Sequence, residues 1–176
     1  MAQNNLPESL KYPLNMKTKT IDKVLIALDY DPSAEKVAES GYSLARSLKA
    51  EVVLLFVISD QAFYSTAEPI PMAGVGAYLG VIPMQFENIE SLRDGANQLL
   101  EKIKHALGNE SISTLIEEGD TATSILSAAK AINADLIVMG SHSRKWLENI
   151  VMGSVTQEVL RKTTLPVYII PVRKQD

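Results

Sequence analysis

The chain has 176 residues and a formal net charge of −4, with 17 lysines and arginines against 21 aspartates and glutamates. The length suits one domain with a sizeable core. The acidic balance argues against nucleic-acid binding through a basic surface. The lack of cysteine excludes disulfides, thiolate catalysis and cysteine-based metal sites. No apolar run has the length of a membrane span and no signal-peptide core is present, so we expect a soluble, cytoplasmic protein.

The N-terminal 20 residues carry Pro7 and Pro13 and have no sustained hydrophobic periodicity. Because chain termini without anchoring contacts are commonly disordered, we expect residues 1–20 to form a flexible arm. We expect residues 21–176 to form a single domain.

After the arm, short apolar runs alternate with amphipathic stretches. The run Val24–Leu28 ends at Asp29 and is typical of a strand that is buried on both faces. Residues 31–33 are a helix-start signal with a capping side chain, and they predict a helix through Leu48. A second apolar strand is predicted over Val52–Ile58.

The next segment, at about residues 59–84, interrupts this alternation. Prolines and glycines lie there among scattered aromatic residues and methionines. A connection of this length is usually functional or disordered. Two alternatives stay open for this insertion: a lid or partner surface over a ligand, and a disordered surface loop.

The second half of the chain returns to the alternation of helices and strands. The predicted elements are a helix over Ile89–Leu107, a strand over Ile112–Glu117, a helix from Gly119 through Ile132, a strand over Leu136–Met139 that ends at Gly140, a helix from Gly153 and Ser154, and a strand over Val167–Val172. Five strands alternating with four helices predict a three-layer, Rossmann-like α/β fold, with an open parallel sheet and helices on both faces.

In open parallel sheets, ligands bind where the strands end, beside the point at which the strand order reverses. The candidate site residues are therefore Asp29, the residues after Ile58, Gly119 and Gly140.

The loop over residues 140–154 is the most informative part of the chain. Gly140 has no Cβ, so a ligand can approach its backbone. Gly153 and Ser154 begin a helix whose free N–H groups and positive dipole end form an anion site, to which the Ser154 hydroxyl adds a donor or metal ligand. This arrangement suits a polyphosphate. The alternative is that Gly140 makes only a turn and Ser154 only a helix cap, since the loop is neither a Walker A loop nor a G-x-G-x-x-G motif.

The order of elements and several segments resemble the universal stress protein family over roughly Ile21–Arg173. The segments are Val24–Asp29, Val53–Val57, Glu118–Asp120, Asp135–Gly140 and Pro166–Pro171. The resemblance implies the strand order 3-2-1-4-5 and a homodimer that pairs the last strand across a two-fold axis. It also implies ATP as the ligand, with Mg²⁺ held largely by phosphates and waters.

The nucleotide-binding branch of that family has the pattern G-x2-G-x9-G-[S/T]. Gly140, Gly153 and Ser154 match it with the spacing kept, and Ser143 stands where the second glycine is expected. If that position needs a positive φ, serine costs on the order of 1–2 kcal/mol. Such a cost corresponds to a loss of up to about tenfold in affinity.

The resemblance further implies which residues meet each part of ATP. Asp29 is expected to contact the adenine with its carboxylate, and Val57 with its backbone. Val155 and Thr156 are expected to complete the phosphate end, and Met139 belongs to the same binding set.

His142 completes the expected binding set and also invites a catalytic interpretation, because histidine is a general base near neutral pH. No nucleophile and orienting partner accompany it in the sequence, so we expect His142 to bind rather than to catalyse. We expect no cluster of side chains with the spacing of a metal site.

Three functions stay open. The first is a nucleotide-dependent regulator or switch in the stress response, which has no efficient chemistry and responds to ATP by differential affinity between two states. The second is a slow ATP hydrolase or autophosphorylating protein. The third is a dimeric interaction module without nucleotide, like the branch of the family in which these glycines are lost.

Overall fold

The computed structural model of the chain describes residues 19–59, 89–141 and 152–172. Within these ranges the elements in chain order are β1 (Lys23–Leu28), α1 (Ala34–Leu48), β2 (Glu51–Ile58), α2 (Ile89–Ala106), β3 (Ser113–Glu118), α3 (Thr121–Ala131), β4 (Leu136–Gly140), α4 (Ser154–Lys162) and β5 (Val167–Ile170). None of these helices is long and apolar enough to cross a membrane. Nearly all of the expected arm and insertion, and residues 142–151, lie outside the described ranges.

The five strands form one parallel sheet in the order β3-β2-β1-β4-β5. Helices α1 and α2 contribute to the core on one face of the sheet, and α3 and α4 to the core on the other. The predicted fold class and the strand order implied by the family resemblance are therefore confirmed. After α2 the helices change from one face of the sheet to the other, and β4 pairs with β1 rather than with β3.

Successive side chains of the central strands enter two separate hydrophobic clusters. In β1, Val24, Ile26 and Leu28 pack with residues of α1 and α2, whereas Leu25 packs with residues of α3 and α4. Strand β2 alternates in the same way. Because helices cover both faces, the positions after the first residue of β1 and of β2 are all apolar, and this explains the continuous apolar runs in the sequence.

Helix α1 lies very close to the sheet at Gly41. A Cβ atom at this position would lie 2.9 Å from Cδ1 of Ile26 and 3.0 Å from Cγ1 of Val138. Both partners belong to buried, central strands. Gly41 therefore allows α1 to pack over the border between β1 and β4.

Several strand boundaries differ from the prediction by one or two residues, and the start of β3 and the end of β5 have identifiable causes. Strand β3 begins at Ser113 because Ile112 still belongs to the preceding turn, where its N–H donates to the carbonyl of Asn109 at 3.3 Å. Strand β5 ends at Ile170 rather than at Val172. Pro171 follows it and has no N–H to continue a ladder.

The start of α1 also differs from the prediction of a capping side chain. Ser33 is the N-cap residue, but no side chain caps the helix. Instead, the N–H and the hydroxyl of Ser33 both donate to Oδ1 of Asp31, at 2.9 and 2.7 Å. The side-chain bond of Asp31 therefore orders the turn before the helix.

Asp135 ties β1 to β4 at the edge of the sheet where the strands begin. Its Oδ2 accepts hydrogen bonds from the N–H groups of Asp22 and Lys23, at 3.0 and 3.1 Å. Its Oδ1 forms an ion pair with Nζ of Lys19 at 2.6 Å. The bond from Lys19 is the largest of the effects that lower the pKa of Asp135, and the N–H of Asp22 lowers it further. Burial acts in the opposite direction with a smaller effect.

Replacing Asp135 by Asn is expected to destabilise the fold in a pH-dependent way. A carboxyl whose folded pKa is lowered contributes its full stabilisation above its unfolded pKa, about 3.9, and loses it as the pH falls through the folded value. The difference in unfolding free energy between wild type and Asp135→Asn should therefore be constant near neutrality and shrink below about pH 4. Urea titrations from pH 6 to pH 3 measure this difference, and Asp94→Asn, on the exposed face of α2, is the control. A difference that stays constant down to pH 3 would contradict this account of Asp135.

Replacing Gly41 by Val is expected to lower the free energy of unfolding by about 1–3 kcal/mol, because the side chain would overpack a closed interface. Denaturant unfolding measures the loss. Ser43→Val changes an exposed position of the same helix and should have a much smaller effect. Equal stabilities of the two variants would refute the close approach of α1 at Gly41.

Candidate functional site at the carboxyl edge

The sheet opens between β1 and β4 at its carboxyl edge, the edge where the strands end. The ladder between these strands runs only from Val24 with Leu136 to Ile26 with Val138. Strand β1 nevertheless continues beside β2 to Leu28, and β4 continues beside β5 to Gly140. The last two residues of each strand are thus unpaired across this border. We call the resulting gap the β1/β4 crevice.

The eight predicted site residues that the structure describes lie at the ends of β1, β2 and β4 and at the start of α4. Asp29 follows β1 and is exposed, and Gly140 ends β4. Val57 lies one position beyond the last β1–β2 pair and so is level with Asp29. Gly153 and Ser154 begin α4. His142 and Ser143 lie outside the described residues.

The side chains of Val57 and Met139 are buried in the cluster under α3 and α4. The backbone of Val57 has a different environment. The carbonyl of Ile58 accepts from the N–H of Gly119 on the β3 side, at 2.9 Å. Because successive residues of a strand direct their carbonyls to opposite sides, the carbonyl of Val57 points toward β1.

The loop between β1 and α1 holds Asp29 through consecutive side-chain bonds. Oδ1 of Asp29 accepts from the N–H of Asp31 at 3.1 Å, and Asp31 in turn binds Ser33. The ring of Tyr30 packs 4.5 Å from that of Phe56. Both carboxylates, of Asp29 and of Asp31, therefore order this turn.

The N-terminus of α4 faces the same edge as the end of β4. Gly153 is the N-cap residue, with φ −61° and ψ 154°, and no side chain caps the helix. Its carbonyl accepts the N–H of Gln157 at 3.0 Å. The N–H groups of the first helical turn have no intrahelical partners, and they carry the positive end of the helix dipole. Ser154 is exposed and Val155 is half-buried.

Thr156 has a role that its sequence position does not reveal. Its side chain is buried, and its hydroxyl donates to the carbonyl of Gly140 at 3.0 Å. This bond joins the first turn of α4 to the end of β4. The only sequence signal is a polar residue on the buried side of a short amphipathic helix.

The turn between β3 and α3 is ordered by Gly119 and Asp120. Gly119 has φ +119°, a conformation that L-residues with a side chain rarely adopt. Asp120 caps α3 by accepting the N–H of Thr123 at 2.9 Å. Hydrogen bonds from Thr123 lower the pKa of Asp120.

Sequence reasoning missed several residues that support this edge. The hydroxyl of Tyr30 donates to the carbonyl of Leu92, and Arg93 forms an ion pair with Glu118. Ser141 donates its N–H to the carbonyl of Ile170 at 3.0 Å. These partners are about 25 to 60 residues apart, so no local pattern predicts their contact.

In residues 19–59, 89–141 and 152–172, no group of three or more histidine, aspartate or glutamate side chains could hold a metal ion.

A model of the universal stress protein family matches residues 20–171 of the chain. The chain belongs to the universal stress protein family. Among its relatives in this family is universal stress protein MJ0577 of Methanocaldococcus jannaschii, which is 29% identical over 152 residues that cover 84% of this chain and 93% of the relative.

Solved structures of universal stress proteins share the fold. Universal stress protein UspA from Lactobacillus plantarum superposes with a TM-score of 0.63 at 19% identity, over 87% of this chain and 99% of that protein. A universal stress protein solved in complex with cAMP superposes with a TM-score of 0.55 at 16% identity, over 86% and 98%. At these identities the likeness establishes the fold alone.

Proposed function

We propose that this universal stress protein binds ATP in the β1/β4 crevice and acts as a nucleotide-dependent regulator of a stress response. The observation that carries the proposal is the early end of the β1–β4 ladder. It opens the sheet between a carboxylate, Asp29, and the N-terminus of α4. These two features suit the two ends of a nucleotide.

At the base end, Asp29 would accept a hydrogen bond from the amino group of adenine. The carbonyl of Val57 points toward the β1 side and lies level with Asp29, so it offers a second acceptor. Two acceptors suit a base edge that carries a donor amino group, and they disfavour a base that presents a carbonyl there.

At the phosphate end, the first N–H groups of α4 and the hydroxyl of Ser154 would bind phosphate oxygens, as helix N-termini commonly do. Gly140 would let the phosphates approach the end of β4, and Val155 adds a backbone donor. His142 and Ser143 belong to the same loop by the family pattern. Mg²⁺ would be held by the phosphates and by waters.

The relative solved with cAMP supports an adenine nucleotide as the class of ligand. We propose regulation rather than efficient hydrolysis, because the sequence offers no set of nucleophile, base and orienting group around His142. ATP would then shift the population of a conformation to which it binds more tightly.

The freshly purified protein is expected to retain ATP or to bind Mg-ATP when emptied. Chromatography of the supernatant after denaturation measures retained nucleotide, and calorimetric titration of emptied protein measures affinity.

Gly153→Asp places a carboxylate among the phosphate-binding N–H groups and should weaken ATP binding by at least about tenfold, because a negative charge there repels phosphate.

Ser143→Gly separates two reasons for weak binding. If Ser143 strains the loop, the variant should bind ATP up to about tenfold more tightly than wild type. The absence of both retained nucleotide and binding heat at several temperatures, in wild type and in Ser143→Gly, would favour the interaction module without nucleotide. ATP turnover well above that of Gly153→Asp would instead favour a slow hydrolase.

We also propose that the protein forms a homodimer through β5, the last strand of the sheet. The carbonyl of Pro166 accepts the N–H of Ile137 in β4, and that of Ile170 accepts the N–H of Ser141, just after β4. By alternation, the backbone groups of Val167 and Ile169 point to the open edge, where a second copy can pair with them. Tyr168 is 44% exposed beside them.

Ile169→Pro removes an outward N–H from the open edge and is expected to convert a dimer into a monomer. Light scattering at micromolar concentration measures the change. Leu48→Ala replaces an exposed apolar residue on α1, outside β5, and should leave the dimer intact. A wild-type protein that is already monomeric would rule out this interface.

A further inference from the structure

Among the described residues, Thr156 is the one polar residue that is buried, with 2% of its surface exposed. A buried hydroxyl must find a hydrogen-bond partner, since an unpaired one destabilises the fold. Thr156 finds its partner 16 positions back along the chain, in the carbonyl of Gly140. The bond therefore closes the two ends of the loop that carries the family's phosphate pattern.

The direction of the Gly140 carbonyl explains why it needs this partner. Ser141 donates its N–H to Ile170, so the backbone groups of Ser141 face β5. Those of Gly140, one residue earlier, face β1. The β1–β4 ladder has already ended at Ile26 and Val138, so no ladder bond from β1 serves this carbonyl.

We propose that Thr156 is a positioning residue that keeps the β1/β4 crevice open. Its hydroxyl takes the place of a β1 N–H as the partner of the Gly140 carbonyl, and it thereby sets the distance between β4 and the N-terminus of α4. Although Thr156 lies in the first turn of α4, its hydroxyl is committed to the backbone rather than to a phosphate. The inference rests on the proposed function, because it concerns the same nucleotide site.

Loss of the bond has two consequences. The Gly140 carbonyl is left without its partner, and α4 is free to shift relative to β4. The N–H groups that would bind phosphate then no longer meet it in one geometry. The effect should grow with the number of phosphates, while contacts at the base end change little.

The test compares Thr156→Val with Thr156→Ser. Valine keeps the shape of threonine and removes the hydroxyl, whereas serine keeps the hydroxyl. The matched control is Thr163→Val at the other end of α4, where the threonine hydroxyl accepts the N–H of Leu165 at 3.0 Å. Calorimetry measures the affinity of each variant for Mg-ATP and for adenosine.

Thr156→Val is expected to bind Mg-ATP about tenfold more weakly, which corresponds to the loss of roughly one good hydrogen bond. Its affinity for adenosine should change by no more than about twofold, and Thr156→Ser and Thr163→Val should bind ATP within about twofold of wild type.

Hydrogen exchange of the ligand-free protein tests the same bond without any nucleotide. The N–H of Ser141 and that of Gln157 should exchange faster in Thr156→Val than in Thr163→Val.

If Thr156→Val does not fold, Thr156→Ser and Thr156→Ala replace the pair, because they differ only by the hydroxyl. The inference is overturned if wild type binds ATP and the variants with and without the hydroxyl bind it equally well. It is also overturned if ATP and adenosine lose affinity to the same extent. A wild type and a Ser143→Gly variant that bind no nucleotide overturn the proposed function itself, and the inference with it.

Discussion

Strands β1 and β4 separate after three residue pairs, and the functional edge of the molecule depends on that separation. The chain covers one face of the sheet with α1 and α2 and then changes to the other face for α3 and α4. The connections that leave β1 and β4 therefore lead to opposite faces. Among the described residues no helix crosses from the end of one strand to the other, as is typical of the ligand-binding border in open α/β sheets.

The opposite edge of the same border is closed. Asp135 joins the start of β4 to the backbone just before and at the start of β1, and Lys19 completes the cluster. The two strands are thus bonded to each other where they begin and lack ladder pairs where they end. The Asp135 contacts lie at the edge opposite the proposed ligand contacts, so substitutions of Asp135 can be interpreted apart from those at the carboxyl edge.

Most of the fold could be predicted from sequence because burial on both faces imposes a pattern on every strand. Val24–Leu28 and Val52–Ile58 are uninterrupted apolar runs, and the helices between them are amphipathic. The ends of elements were less predictable. The end of β5 depends on Pro171, and the start of α1 depends on a side-chain bond of Asp31 within the turn. Hydrophobic periodicity does not encode such local geometry.

The sequence by itself determined the α/β class, and its resemblance to the universal stress proteins indicated the strand order and the candidate residues Asp29, Gly140 and Gly153. Only the tertiary structure decided what Thr156 does. A hydroxyl in the first turn of a helix can face a ligand, solvent or a neighbouring strand with the same local pattern. Its partner is chosen by how α4 packs against β4 and by where the β1 ladder stops, and both depend on contacts between residues far apart in the chain.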